Sequence, residues 1–204
     1  MDMSDNSDQW WADYATTPVS PNRSALADRL QRWSRSADER ALKNAAKAEK
    51  KIERELAWLG EEWHVLHVVD RAGHEGDIDY ILIGPAGVFT LTVRRLRNSA
   101  VLVADSRVLV DGHPRNYVRD AQRGSEGVER TLAEACRQTV RVRPVIVVVD
   151  VDDFTVQRLP SGMHVTTCRR LLPWLKSLPD SMDSETVDLI HQLGFSVSRQ
   201  VVAS

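Results

Sequence analysis

Apolar and polar positions follow two different rhythms along this chain. From Leu26 to Leu59 the apolar residues Leu26, Leu30, Trp33, Ala37, Ala41, Ala45, Ala48, Ile52, Leu56 and Leu59 recur at steps of three and four. That spacing draws one stripe along a helix. The stripe is about 50 Å long at the helical rise of about 1.5 Å per residue, so a break near Ser34–Asp38 is expected. There "SADE" serves as the N-cap and first turn of a second helix, and Gly60 closes the helical region.

After Gly60 the rhythm changes to that of strands. "WHVLHVVD" (63–70) reads as the first. "GDIDYILIG" and "GVFTLTVRR" flank "GPAG" (84–87) and read as a hairpin, with Pro85 at the first corner of the turn and Gly87 supplying a positive φ. "AVLVAD" and "RVLVDG" read as a second hairpin. "NYVRDAQRGSEGVERTLAEACRQT" is a helix with Val118, Ala121, Val128, Leu132 and Ala135 on one stripe. "RPVIVVVDV" (143–151) is apolar without alternation, the mark of a strand covered on both faces, and belongs at the centre of a sheet. "MHVTTC" is a short strand. "RRLLPWLKSL" and "DSETVDLIHQL" are closing helices, the second capped by Asp183 or Ser184. The order is one helix, five strands, a helix, two strands and two helices. It predicts an α/β fold with a mixed central sheet flanked by helices, preceded by a long N-terminal helix. The expected organisation is an arm over 1–22, a helical region over 23–60, a central domain over 48–178, and a closing helix and tail over 179–204.

Composition narrows this only slightly. The chain has 204 residues, enough for one sizeable core, with 42% hydrophobic and 27% charged residues. A formal net charge of −2 means that any basic surface is local. The cysteines, Cys136 and Cys168, form no CxxC pair and fit a reducing compartment. The polar, acidic start is not that of a signal peptide, and no apolar run approaches the roughly 20 residues of a membrane span. A cytoplasmic location without membrane contact is expected. Trp10, Trp11 and Tyr14 make the arm too aromatic for a plain linker and mark it as a candidate contact for a protein partner.

Between about Ala48 and Arg170, roughly 60% of the chain, the sequence resembles the nuclease-related domain family, known as NERD. "AEKKIERELAWLG" resembles the family's opening helix and "EEWHVLHVVD" its first strand. "GDIDYILIGPAGVFTLTVRR" is the closest match, similar to the family's "IDH-hydrophobic-IGP-x-GVF" core. "VLVDGHPRNYVRDAQR", "VRPVIVVVD" and "VTTCRRLLPWL" resemble the segments that follow. The resemblance implies a restriction-endonuclease-like fold of the PD-(D/E)xK type and a phosphodiesterase site. The helical glutamate of that site falls on Glu49 and the strand aspartate on Asp79. The acidic and lysine positions of the second strand fall on Thr92 and Arg94, which depart from the pattern. Ala48 stands where the family has glycine, and Tyr80 where it often has histidine.

The departures have chemical weight. Such sites hold Mg²⁺ or Mn²⁺ with hard oxygens, mostly carboxylates, and the ion activates water and stabilises phosphate charge. Thr92 replaces a full negative charge with a weak neutral oxygen. Arg94 orients a phosphate but, with a pKa above about 12, is no base. Asp77, two residues from Asp79 and so on the same strand face, is the candidate replacement ligand beside Asp79 and Glu49. The plain alternative is that Asp77 and Asp79 cap a turn and pair with Arg94 or Arg95, and that Thr90, Thr92 and Arg94 form a solvated strand face. His64 and His67, three apart on a strand, face opposite ways and are poor co-ligands.

Basic residues form three local groups: Lys43, Lys47, Lys50 and Arg54 opposite the apolar stripe of the first helix, Arg95 and Arg97 in "RRLR", and Arg115, Arg119 and Arg123 at steps of four. Together they suit a nucleic-acid backbone, DNA before RNA, or simply solvated helix faces. Three functions follow. The first is a divergent NERD-type protein that binds nucleic acid with weak or lost nuclease activity. The others are a live Mg²⁺- or Mn²⁺-dependent nuclease and a non-catalytic protein-interaction module.

Overall fold

The computed structural model describes residues 47–68 and 78–201, with side chains as far as 193. The arm over 1–22, the helical region before residue 47, Lys43 and Asp77 lie outside the described residues. Residues 44–204 form one compact unit.

Helix α1 is described over residues 47–56. Ala48, Ile52 and Leu56, each four apart, are buried, while Lys47, Lys50 and Arg54 are exposed. Among the described residues nine strands follow: β1 (His64–His67), β2 (Tyr80–Gly84), β3 (Gly87–Arg95), β4 (Ala100–Ala104), β5 (Arg107–Val110), β6 (His113–Arg115), β7 (Val142–Val149), β8 (Asp153–Arg158) and β9 (His164–Thr167). Helix α2 (Tyr117–Cys136) lies between β6 and β7, and α3 (Cys168–Ser177) and α4 (Ser184–Val201) close the chain.

The strands form two sheets. The larger has the order β1-β2-β3-β7-β9. Its first three strands run antiparallel, and β7 and β9 join parallel to β3. The smaller has the order β6-β5-β4-β8, with β8 parallel to β4. The sequence pattern anticipated one mixed sheet. It missed β6, which is three residues long and wholly exposed, and β8, whose residues are nearly all exposed. β6 has no apolar face, and that of β8 is only Phe154 and Val156, too short a run to mark a strand. The apolar strand β7 is paired on both edges and covered on both faces as expected, but the middle position belongs to β3.

The β2–β3 hairpin closes as the sequence suggests. Gly84 pairs with Gly87 across Pro85 and Ala86, and Gly87 has φ of +126°. Gly84 is required for a different reason: a Cβ there would stand 2.3 Å from the Trp63 ring. Side-chain alternation along β3 then sorts the interior. Phe89 and Leu91, with Tyr80, Leu82, Val145 and Val147, pack against Ile52 and Leu56 of α1 and Leu171 and Leu175 of α3. Val88, Ile81 and Ile83 face the other way, onto Leu132 of α2 and Val187 and Ile190 of α4. The small sheet lays Val101, Val103, Val108 and Val110 against Val118 and Ala121 of α2 and Ile146 and Val148 of β7. Asp183 caps α4, accepting the Thr186 N–H at 2.8 Å.

Candidate functional site

The site implied by the sequence lies where β2 begins and β3 ends. Asp79 is pinned there by three backbone-linked hydrogen bonds. Its N–H donates to the Leu91 carbonyl at 2.8 Å, and its carbonyl accepts the Val68 N–H at 2.9 Å. Its carboxylate Oδ2 accepts the Val93 N–H at 2.6 Å. That N–H lies between the two positions where the nuclease pattern carries its acid and its lysine.

Neither of those positions forms a solvated face. Thr90 and Thr92 share the α2 face of β3 and are 1% and 2% exposed. Arg94, next on that face, sets its guanidinium 5.4 Å from the centre of the Tyr117 ring. Its Nη1 donates to the Val93 carbonyl at 3.0 Å, and its Nε is buried with no hydrogen-bond partner among the described residues. Helix α2 therefore covers the side chains that a solvent-facing strand would have presented.

Glu49 is on the other side of the sheet. Helix α1 turns it toward β1, where Glu49 Oε1 lies 2.9 Å from His67 Nε2. His67 pairs with Tyr80 across β1 and β2, and their rings stack with centres 4.9 Å apart. Glu53, one turn beyond Glu49, completes a group in which one donor atom each of Glu49, Glu53 and His67 lie within 4.8 Å of one another. Tyr80 is 2% exposed and its hydroxyl has no hydrogen-bond partner among the described residues. Burial holds that phenol far above its ordinary pKa, and the charges of Glu53, Glu49 and Asp79 add to the effect. From the sequence, His67 is weighed only as a partner of His64, which it is not, and Glu53 is not singled out. The i, i+4 spacing of the two glutamates was visible, but the approach of His67 requires the β1–β2 pairing.

Mg²⁺ does not fit the described part of the implied ligand set. Thr92 is neutral and enclosed, Asp79 spends one oxygen on a backbone N–H, and Glu49 is engaged by an imidazole. Mg²⁺ asks for several oxygen donors in near-octahedral array. Among the described residues, Asp79 joins no group of three such donors.

The basic residues divide as well. Lys47, Lys50 and Arg54 lie on α1, on one face of the large sheet, whereas Arg119 and Arg123 lie on α2, on the other. Arg97 and Arg115 are exposed, the latter on β6 of the small sheet. Arg95 is turned to the α1 face, where its Nε donates to Asp150 Oδ2 at 2.7 Å and Lys51 Nζ donates to Oδ1 at 2.9 Å. The hydrogen bonds from Lys51 and then Arg95 hold the Asp150 carboxyl below its usual range. Lys51 and Asp150 line a cleft of about 600 Å³ at the carboxyl ends of β7 and β9, also lined by Asp152, Cys168, Arg169 and Arg170. Such a position, outside the carboxyl ends of parallel strands, is a common ligand site in α/β folds. Sequence reading missed Arg169 and Arg170, which stand in the first turn of α3 where no acidic residue and no side-chain cap compete for an anion.

The model of the nuclease-related domain matches residues 44–149, which run from α1 through β7 and take in the hairpin, Glu49, Asp79, Thr92 and Arg94. This chain belongs to the nuclease-related domain family. No curated protein and no solved structure matches it. The mixed α/β architecture is consistent with a nuclease-like fold, and the Glu49–His67 contact joins its opening helix to β1. Among the described residues, no helix is long and apolar enough to cross a membrane.

Proposed function

We propose that this NERD domain holds a nucleic-acid backbone, DNA before RNA, and that its metal-dependent phosphodiesterase chemistry is weak or lost. The observation that carries this reading is the state of β3. The position of the second metal carboxylate is a threonine buried under α2, and the position of the catalytic lysine is an arginine lodged over Tyr117. An arginine so placed takes no proton from water, and its contact with Tyr117 holds its guanidinium against α2. What the fold keeps is cationic surface on the α1–α3 side: Lys47, Lys50 and Arg54 on α1, with Arg169 and Arg170 at the head of α3. These are the residue types that neutralise phosphates, and they carry no base specificity.

The test is fluorescence anisotropy with a labelled duplex, a single-stranded DNA and an RNA, at about 50 and 200 mM salt. Affinity is expected to fall steeply with salt. Lys50→Ala/Arg54→Ala and Arg169→Ala/Arg170→Ala should each lower it for every sequence and flatten the salt slope by about 2. Thr92→Val, buried away from this face, should leave it unchanged. Supercoiled plasmid with Mg²⁺ or Mn²⁺ should be nicked no faster than by the Asp79→Ala protein. No binding at the lower salt, or robust nicking abolished by Asp79→Ala, overturns the proposal.

A further inference from the structure

The misfit at the implied Mg²⁺ site is matched by a better set of donors nearby. We infer that Glu49, Glu53 and His67 form a binding site for a borderline transition-metal ion, Zn²⁺ before Mn²⁺, which shares Glu49 with the carboxylate site of the nuclease pattern but draws on neither Asp79 nor the Thr92 position. The inference does not rest on nucleic-acid binding.

Four observations carry it. First, the donors converge. Around a tetrahedral zinc, with bonds of about 2.0–2.2 Å, donors sit roughly 3.3 Å apart. Here His67 Nε2 and Glu49 Oε1 are 2.9 Å apart, and all three donors are within 4.8 Å of one another. Rotation about glutamate side-chain bonds closes that difference. Second, the backbone holds the donors in place. Glu49 and Glu53 project from adjacent turns of a helix locked by Ala48, Ile52 and Leu56 in the core. His67 is the last residue of β1, in register with Tyr80, and its ring is stacked on that of Tyr80. Third, the charge is unbalanced. Two carboxylates at i, i+4 repel, and among the described residues Glu53 has no lysine or arginine within ion-pair distance. A divalent cation offsets both charges and takes the imidazole as a neutral ligand. Fourth, the Tyr80 hydroxyl is buried, on a ring stacked against His67, without a hydrogen-bond partner among the described residues. A buried hydroxyl left unpaired is costly. A ligand carboxylate or a metal-bound water drawn against it would accept its proton, which is the usual task of the residues around a metal's ligands.

The donor set decides the ion. Imidazole with two carboxylates suits zinc, whereas Mg²⁺ and Ca²⁺ seek oxygen alone, and zinc outranks manganese at a site of this composition. The set leaves a coordination position for water.

The experiment is calorimetric titration of the chelator-treated full chain with ZnCl₂, MnCl₂ and MgCl₂. One equivalent of zinc is expected to bind, manganese more weakly, and magnesium without measurable heat. Glu53→Gln and His67→Asn should each weaken zinc by about tenfold or more, as loss of a ligand does. His64→Ala should leave binding intact, because His64 faces α4 and stacks on His191. Both ligand variants alter exposed side chains, so circular dichroism should find them folded. A readout needing no variant is the histidine NMR spectrum: zinc should move the His67 imidazole signals first. No zinc binding, equal binding by Glu53→Gln and His67→Asn, or zinc that moves only the His64 and His191 signals would each overturn the inference.

Discussion

Asp150→Asn isolates the electrostatic anchor beneath the cleft. Asp150 has φ of +61°, a left-handed backbone that asparagine adopts readily, so the substitution removes charge with little change in backbone preference. The carboxylate accepts two charge-assisted hydrogen bonds of unequal standing. Lys51 is 39% exposed, and a pair so open to water contributes about 0.5 kcal/mol. Arg95 is only 11% exposed, and a hydrogen bond between charged groups in that setting contributes about 1.5 kcal/mol. Asparagine keeps one neutral acceptor oxygen, so the total loss at neutral pH is about 1.5–2 kcal/mol. In a domain of this size that is a fall in Tm of roughly 3–8 °C. The pH dependence fixes the cause. Because the folded-state pKa of Asp150 is lowered, its contribution is complete above the unfolded value of about 4 and is lost as pH falls through the folded value. Thermal unfolding followed by circular dichroism, at pH 7 and in steps from pH 5 to 2.5, should show a gap between the two proteins that closes in acid. A gap below about 1 °C at pH 7, or one that persists undiminished at pH 2.5, refutes the assignment of Asp150 as the charge that holds Lys51 and Arg95.

Two further outcomes follow from packing and from the histidines. Gly84→Ala would drive a Cβ into the Trp63 ring, so the midpoint of urea unfolding should drop by the equivalent of about 1–3 kcal/mol, and an unchanged midpoint would mean that Trp63 is free to move aside. His164 and His191 both have pKa values depressed by burial, with His64 adding to the effect at His191. Each is stabilising when neutral, so stability should fall as pH drops below the unfolded histidine value of about 6.5. His164→Gln/His191→Gln should flatten Tm between pH 7 and 5, and an equally steep slope in that variant would assign the titration elsewhere.

Much of this protein is local in origin and is therefore legible in the order of its residues. The steps of three and four at Ala48, Ile52 and Leu56 set the buried face of α1. Pro85 and Gly87 set the turn between β2 and β3, and the unbroken apolar run of β7 required cover on both faces. The same local pattern matches the hairpin to the nuclease-related family and exposes Thr92 and Arg94 as departures. Tertiary structure decided what depends on partners distant in sequence. Alternation says that Thr90, Thr92 and Arg94 share a face, but not whether that face meets water or α2, because burial is set by the helix that packs there. It meets α2, which encloses the threonines and sets Arg94 over Tyr117. The three basic groups, which the sequence offered together to a nucleic-acid backbone, are divided by a sheet with helices on both sides. Strand β8, whose apolar face is only Phe154 and Val156, is placed chiefly by its pairing with β4, which leaves no mark in its side chains. The convergence of Glu49, Glu53 and His67 needed both the helical repeat, which is local, and the β1–β2 pairing, which is not.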